Sequence, residues 1–136
     1  VIYLDTSCIV PLFLPERRSV DIENMLVGRE FTVSDLARAE FSSAIALAVR
    51  SGRVSTEAAR TVLTRCDEWA DDHAWTVDTA REDFTVATSL IRRFDLGLRT
   101  PDALHIAIAR RLGAALLTFD TRMHAAALSL GVDTLG

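Results

Sequence analysis

Lysine is absent from this 136-residue chain, and all 15 of its basic residues are Arg. The planar guanidinium suits two-point contacts to phosphate or carboxylate, but a uniform compositional bias carries little functional weight by itself. Aromatic residues are scarce at 7%, so a sequence that is 49% hydrophobic has to build its core mostly from Ala, Leu, Val and Ile. The two cysteines, Cys8 in an apolar run and Cys66 on a predicted helix, lack metal-ligand spacing and read as plain buried or half-buried thiols. No apolar stretch approaches the length needed to span a bilayer, and no basic leader precedes the first strand. The expectation is a cytosolic, reduced protein without a membrane partner.

Familiar catalytic signatures are missing as well. There is no G-x-x-x-x-G-K-S/T phosphate loop and no G-x-G-x-x-G, which argues against nucleotide-driven and nicotinamide chemistry. Neither Ser7 nor Ser34 lies in a G-x-S-x-G setting, and His73, His105 and His124 have no zinc-ligand spacing. The length fits one domain over residues 1–136, with no repeats or linkers.

What is present is an alternation of short apolar runs with helical periodicity. Strands are predicted over 1–4, 30–33, 74–77, 114–117 and 132–135. Between them fall helices over 7–14, from Pro15 and Glu16 to about 26, 35–50, 55–71, 80–94, 101–112 and 121–130. Ser34 or Asp35, Asp78 or Thr79, and Thr100 are the expected caps of three of them. The pattern implies a three-layer α/β/α sandwich around a mainly parallel sheet of about five strands.

The segment TPDALHIAIARRLGAALLTFDTR, residues 100–122, contains most of the logic. Pro101 suits the first helical position and Asp102 the first turn, where unpaired N–H groups favour a carboxylate. Gly113 closes the helix, the apolar run after it suits a strand covered on both faces, and that strand is expected to end at Asp120. A helix preceding a parallel strand runs antiparallel to it, so Asp102 and Asp120 should share one edge of the sheet. Asp5 ends the first strand at that edge, and Glu40 lies in the second turn of a helix that starts there.

Ligands of open α/β sheets collect beyond the carboxyl ends of the strands. Four carboxylates converging there repel one another unless cations compensate, which points to one or two hard divalent ions, Mg²⁺ or Mn²⁺. Such ions activate water and stabilise charge on a phosphoryl group, the chemistry of phosphodiester hydrolysis. Thr6, Ser7 and Thr118 are candidates for orienting a carboxylate or a water. Arg99, just before the acidic helix, and Arg122, two residues past Asp120, are candidates for contacting a phosphate or neutralising a carboxylate. Arg92-Arg93 and Arg110-Arg111 are weaker candidates of the same kind. His105, one helical turn from Asp102, reads as an ordinary packed or hydrogen-bonded histidine with a possible reach to the site. The 19 acidic residues exceed the 15 Arg by four, the size of the carboxylate cluster, so acidity does not exclude a nucleic-acid partner.

Four stretches, YLDTSCIV, LARAEFSSAIALA, LRTPDALHIAIARRLGAALLTFD and the following TRM, together resemble a PIN-domain protein of the VapC toxin family over essentially the whole chain. The resemblance implies an Mg²⁺- or Mn²⁺-dependent endoribonuclease, inhibited by a cognate VapB-type antitoxin and commonly a homodimer. It carries the acidic quartet onto Asp5, Glu40, Asp102 and Asp120, and the small hydroxyl positions onto Thr6 and Thr118. The implied antitoxin groove would use Leu12, Phe13, Leu26 or Phe41. The alternative is a PIN-like module that binds RNA or a partner with little turnover. A structure-specific DNA nuclease shares the chemistry, but the chain has no basic extension to hold branched DNA.

Overall fold

The computed structural model describes residues 1–14 and 18–135. At its centre lies β1 (Ile2–Leu4), paired in parallel with β2 (Phe31–Ser34) on one side and β4 (Ala115–Leu117) on the other. β3 (Trp75–Val77) and β5 (Thr134–Leu135) complete an all-parallel sheet of order β3-β2-β1-β4-β5. Between β1 and β2 run α1 (Thr6–Phe13) and α2 (Ser19–Leu26), and between β2 and β3 run α3 (Asp35–Arg50) and α4 (Thr56–His73). α5 (Arg81–Ile91) and α6 (Thr100–Leu112) connect β3 to β4, with one 3₁₀ turn (Phe94–Leu96) between them, and α7 (Thr121–Ser129) leads to β5.

The alternation of β1 sorts the core into two layers. Tyr3 joins Leu116 and the apolar sides of α5, α6 and α7, whereas Ile2 and Leu4 join Val33, Leu117 and the inner faces of α1 to α4. This is the expected α/β/α sandwich. Because the strands are parallel, their carboxyl ends share one edge. There the buried polar side chains gather: Asp5 after β1, Ser34 at the end of β2, Thr118 after β4, and Asp102 and His105 on α6. Among the described residues no helix is long and apolar enough to cross a membrane.

Several local expectations are corrected. Thr100 is already helical. Arg99 holds the N-cap position, and Asp102 at the third helical position accepts from the Arg99 N–H at 3.2 Å, so a carboxylate inside the helix does the capping. Likewise neither Asp78 nor Thr79 caps α5; Asp83 accepts from the Ala80 N–H at 2.7 Å. Thr79 instead donates to Asp35, through its hydroxyl at 2.5 Å and its N–H at 2.8 Å. β4 ends at Leu117, and Asp120 is the N-cap of α7, accepting from Met123 N–H at 2.9 Å. Past Leu117 the Thr118 N–H still reaches the Leu135 carbonyl at 3.4 Å, but the Thr118 and Asp120 side chains turn to Asp5 and to the start of α7. The expected helix start at Pro15 and Glu16, with Arg17, lies outside the described residues.

Candidate active site

Asp5 follows β1 directly and is 3% exposed. The Ser7 hydroxyl donates to its Oδ1 at 2.6 Å and the Thr118 hydroxyl to its Oδ2 at 2.7 Å. Both hydroxyls also accept: Ser7 from the Phe119 N–H and Thr118 from the Asp120 N–H, each at 3.0 Å. The loop between β4 and α7 is thus tied to Asp5 by the side chains of Ser7 and Thr118. Burial pushes the Asp5 carboxyl above the usual carboxylate range, and the two hydroxyls only partly oppose it.

Glu40 projects from the second turn of α3, and its Oε1 receives the Thr6 hydroxyl at 2.9 Å and His105 Nε2 at 2.5 Å. The other ring nitrogen of His105 meets the Tyr3 hydroxyl at 2.6 Å, and that hydroxyl meets Ser34 Oγ at 2.8 Å. Ser34 Oγ also caps α3 by accepting from Ala37 N–H. Burial acts to raise Glu40, but the hydrogen bond and field of His105, the Thr6 hydroxyl and the charge of Arg99 outweigh it, and the carboxyl ends below the usual Glu value. Tyr3, the chain's single tyrosine, is fully buried and pushed upward by that burial, so its proton is retained. Sequence reasoning placed Ser34 as a candidate cap of α3 but missed its hydrogen bond to Tyr3, missed the role of Tyr3 and undervalued His105. The available signal was a lone tyrosine two residues before Asp5.

Asp102 and Asp120 come together across the end of the sheet, lining one hollow of about 530 Å³ with Arg99, Phe119, Thr121 and Arg122. Arg99 is exposed and its Nε lies 3.5 Å from Asp102 Oδ2. Arg122 Nη1 donates to the Gly97 carbonyl at 3.3 Å, which holds its side chain at the rim. Arg111 lies elsewhere: its guanidinium grips the buried Asp83 at 2.9 to 3.2 Å and the Asp78 carbonyl at 2.9 Å, an architectural task that removes it from phosphate contact. Arg93 pairs with Asp95 at 3.2 Å. Cys8 donates weakly to the Leu117 carbonyl and, like Cys66, is buried, with the thiol pushed up; Cys66 reaches about 11. Both are inert core thiols.

No group of three or more His, Cys, Asp or Glu side chains forms a ready metal cage among the described residues. The hollow does offer two carboxylates, and within the described residues Asp102 Oδ1 and Asp120 Oδ2 make no hydrogen bond. Mg²⁺ keeps several waters and is commonly held through one or two carboxylates. The donor set therefore fits a hydrated hard cation rather than an ion enclosed by protein.

The family model described as PIN domain matches residues 2–128. The chain belongs to the PIN-domain family. This PIN domain is 36% identical to Ribonuclease VapC46 of Mycobacterium tuberculosis, over 98% of the chain and 95% of that relative. Among solved structures, it resembles VapC20 of Mycobacterium tuberculosis, a sarcin-ricin-loop-cleaving toxin, with a TM-score of 0.73 and 19% identity over 93% of this chain and 95% of that one. It equally resembles the FitAB complex bound to an IR36 DNA fragment, with a TM-score of 0.73 and 17% identity over 99% and 94% of the two chains. At such identities the structural matches speak for the fold of this PIN domain.

Proposed function

We propose that this PIN domain is a divalent-metal-dependent endoribonuclease and the toxin of a toxin–antitoxin pair. The observation that carries the reading is the hollow shared by Asp102 and Asp120, with two arginines at its rim and Asp5 tied to its loop. The likeness to a ribonuclease along nearly the whole chain supports RNA as the substrate.

Asp102 and Asp120 would hold Mg²⁺ or Mn²⁺, with Asp5 and Glu40 completing the acidic quartet. Such an ion, when bound, activates water and neutralises charge developing on the phosphoryl group. The chain's own residues supply position and charge. Ser7 and Thr118 fix the Asp5 carboxylate, while Thr6 and His105 fix Glu40 through Oε1 and leave Oε2 to orient a water or take its proton. Arg99 and Arg122 flank the hollow and attract the phosphate backbone.

A protein partner is supported by a second hollow of about 410 Å³ lined by Leu12, Leu26, Val27, Phe31 and Trp69. Phe13 packs edge-on against Phe41 and Trp69 near it, while Phe41 is itself core at 1% exposed and so cannot meet a partner. A VapB-type antitoxin on this face and homodimerisation of the toxin belong to the same reading.

Purified protein should cleave RNA with Mn²⁺ or Mg²⁺, stop on addition of EDTA, and lose cleavage in Asp102→Asn with its fold intact. Cleavage that persists in EDTA or in that variant overturns the mechanism. One other reading is a binding module of low turnover. That reading prevails if the pure protein binds RNA or a partner but cleaves no RNA class in either metal.

A further inference from the structure

Beside the acidic hollow lies a larger one, about 650 Å³, between α2 and the start of α7. The two are contiguous, because Phe119, Asp120 and Thr121 line both. Its volume is within the range of about 300–1,000 Å³ usual for small-ligand sites. The composition differs from that of its neighbour. Phe119 provides an aromatic face, and the Arg18 guanidinium lies 4.4 Å from the centre of that ring. Asp21 and Asn24 also line it, both exposed, and among the described residues neither side chain makes a hydrogen bond. His124 Nδ1, also on this lining, is buried and has no hydrogen-bond partner among the described residues.

A buried polar atom left unpaired costs free energy, and proteins seldom keep one without a reason. Here it shares a lining with two more polar side chains that have no hydrogen-bond partner among the described residues, and with a guanidinium over a phenyl ring. That combination suits one kind of guest. Unpaired RNA bases are recognised by stacking on aromatic rings or Arg planes while side chains read their hydrogen-bonding edges. Asn24 offers both donors and an acceptor, and Asp21 an acceptor that suits ring N–H and exocyclic amino groups.

We propose that the Phe119, Arg18, Asp21 and Asn24 hollow is a nucleobase pocket that receives a single unpaired base next to the phosphate attracted by Arg99 and Arg122 at the acidic hollow. The proposal rests on the ribonuclease reading for its place in catalysis, and names the part of that site which selects sequence. Arg18 and Phe119 supply the stacking surface, and Asp21 with Asn24 supply discrimination. Specificity then comes from side chains other than the four acids, although Asp120 borders both hollows.

The sequence provides an unusually clean probe. Asn24 is the only Asn, and there is no Gln, so the intact chain has one side-chain amide NH₂ pair in an ¹⁵N–¹H spectrum. Titration with the four ribonucleoside 5′-monophosphates should move that pair, more for some bases than others. Ribose 5-phosphate should leave it in place. If no nucleotide moves it, or ribose 5-phosphate moves it equally, the pocket is not a base site. The second arm sequences the ends cut from a randomised RNA pool by the wild type, Asn24→Ala and Asp21→Ala. The wild type should favour one base beside the cut, and both variants should flatten that preference by about tenfold. An unchanged preference in both variants overturns the proposal. A shifted amide in a protein that cleaves nothing would leave the pocket standing and sink the nuclease reading instead.

Discussion

His105 Nε2 and Glu40 Oε1, 65 residues apart in sequence, lie 2.5 Å from one another. The histidine is 2% exposed, and its other nitrogen is held by Tyr3, so the imidazole has one orientation available. A carboxylate gripped this way keeps both its charge and its direction. The contact makes His105 a positioning residue for Glu40.

Replacing His105 by Ala should therefore act on stability and activity together. A buried group left without its partner costs about 1–3 kcal/mol, read as a lower urea midpoint at unchanged m-value. Partners that orient ligating groups typically change activity by about 10–100-fold. RNA cleavage by folded His105→Ala should fall within that range through kcat, with KM nearly unchanged. A variant that loses stability but cleaves at the wild-type rate would show the contact to be architectural only.

Asp5 should behave as a charge retained at the expense of stability. Its folded pKa is raised above the ordinary 3.8 because burial disfavours the ionised form. The sign follows from linkage: between the two values the folded state binds more protons than the unfolded one, so stability falls as pH rises through that window. The favourable contribution is complete below the unfolded pKa and lost above the folded one. With metal chelated, Asp5→Asn should melt higher than the wild type at neutral pH, and the advantage should shrink as pH drops through the raised value. A lower melting temperature for Asp5→Asn at neutral pH would contradict this.

Asp120 performs two tasks that substitutions can separate. As the N-cap of α7 it accepts from Met123 N–H, and loss of such a cap costs about 1 kcal/mol. Asp120→Ser keeps a capping oxygen and removes the carboxylate; Asp120→Ala removes both. Both variants should be inactive on RNA, but only the alanine should show the loss in chemical denaturation. Cleavage by Asp120→Ser would remove this residue from the metal site.

Arg111 tests the opposite combination. Its partner Asp83 is 1% exposed, and stripping a buried carboxylate of its cation costs roughly 3–5 kcal/mol, toward the lower end here because the Arg side chain is 31% exposed. Arg111→Ala should lower the melting temperature markedly while leaving RNA cleavage per folded molecule unchanged. Pairing it with Asp83→Asn should recover much of the loss.

The elements were legible because their signals are local. Alternating short apolar runs and helical periodicity are enough to draw a parallel sandwich, and antiparallel travel of α6 and β4 is enough to bring Asp102 near Asp120. Caps were less legible, since Asp83 and Asp102 bond backwards onto the residues before their helices, a competition that composition does not resolve. The network through Ser34, Tyr3, His105 and Glu40 was largely invisible. It joins four elements through side chains, and no spacing rule connects residue 3 to residue 105.

The central position of β1 also governs when the protein acquires its chemistry. Asp5 is made before the other acids, yet its carboxylate is completed by Thr118, 113 residues later, and β1 lacks one neighbour until β4 has been made. Contacts of such long range close late in folding. A chain stopped after α6 possesses three of the four acids but neither the strand nor the loop that arranges them. The proposed cleavage of RNA then needs the chain to be made past β4 before the site can form.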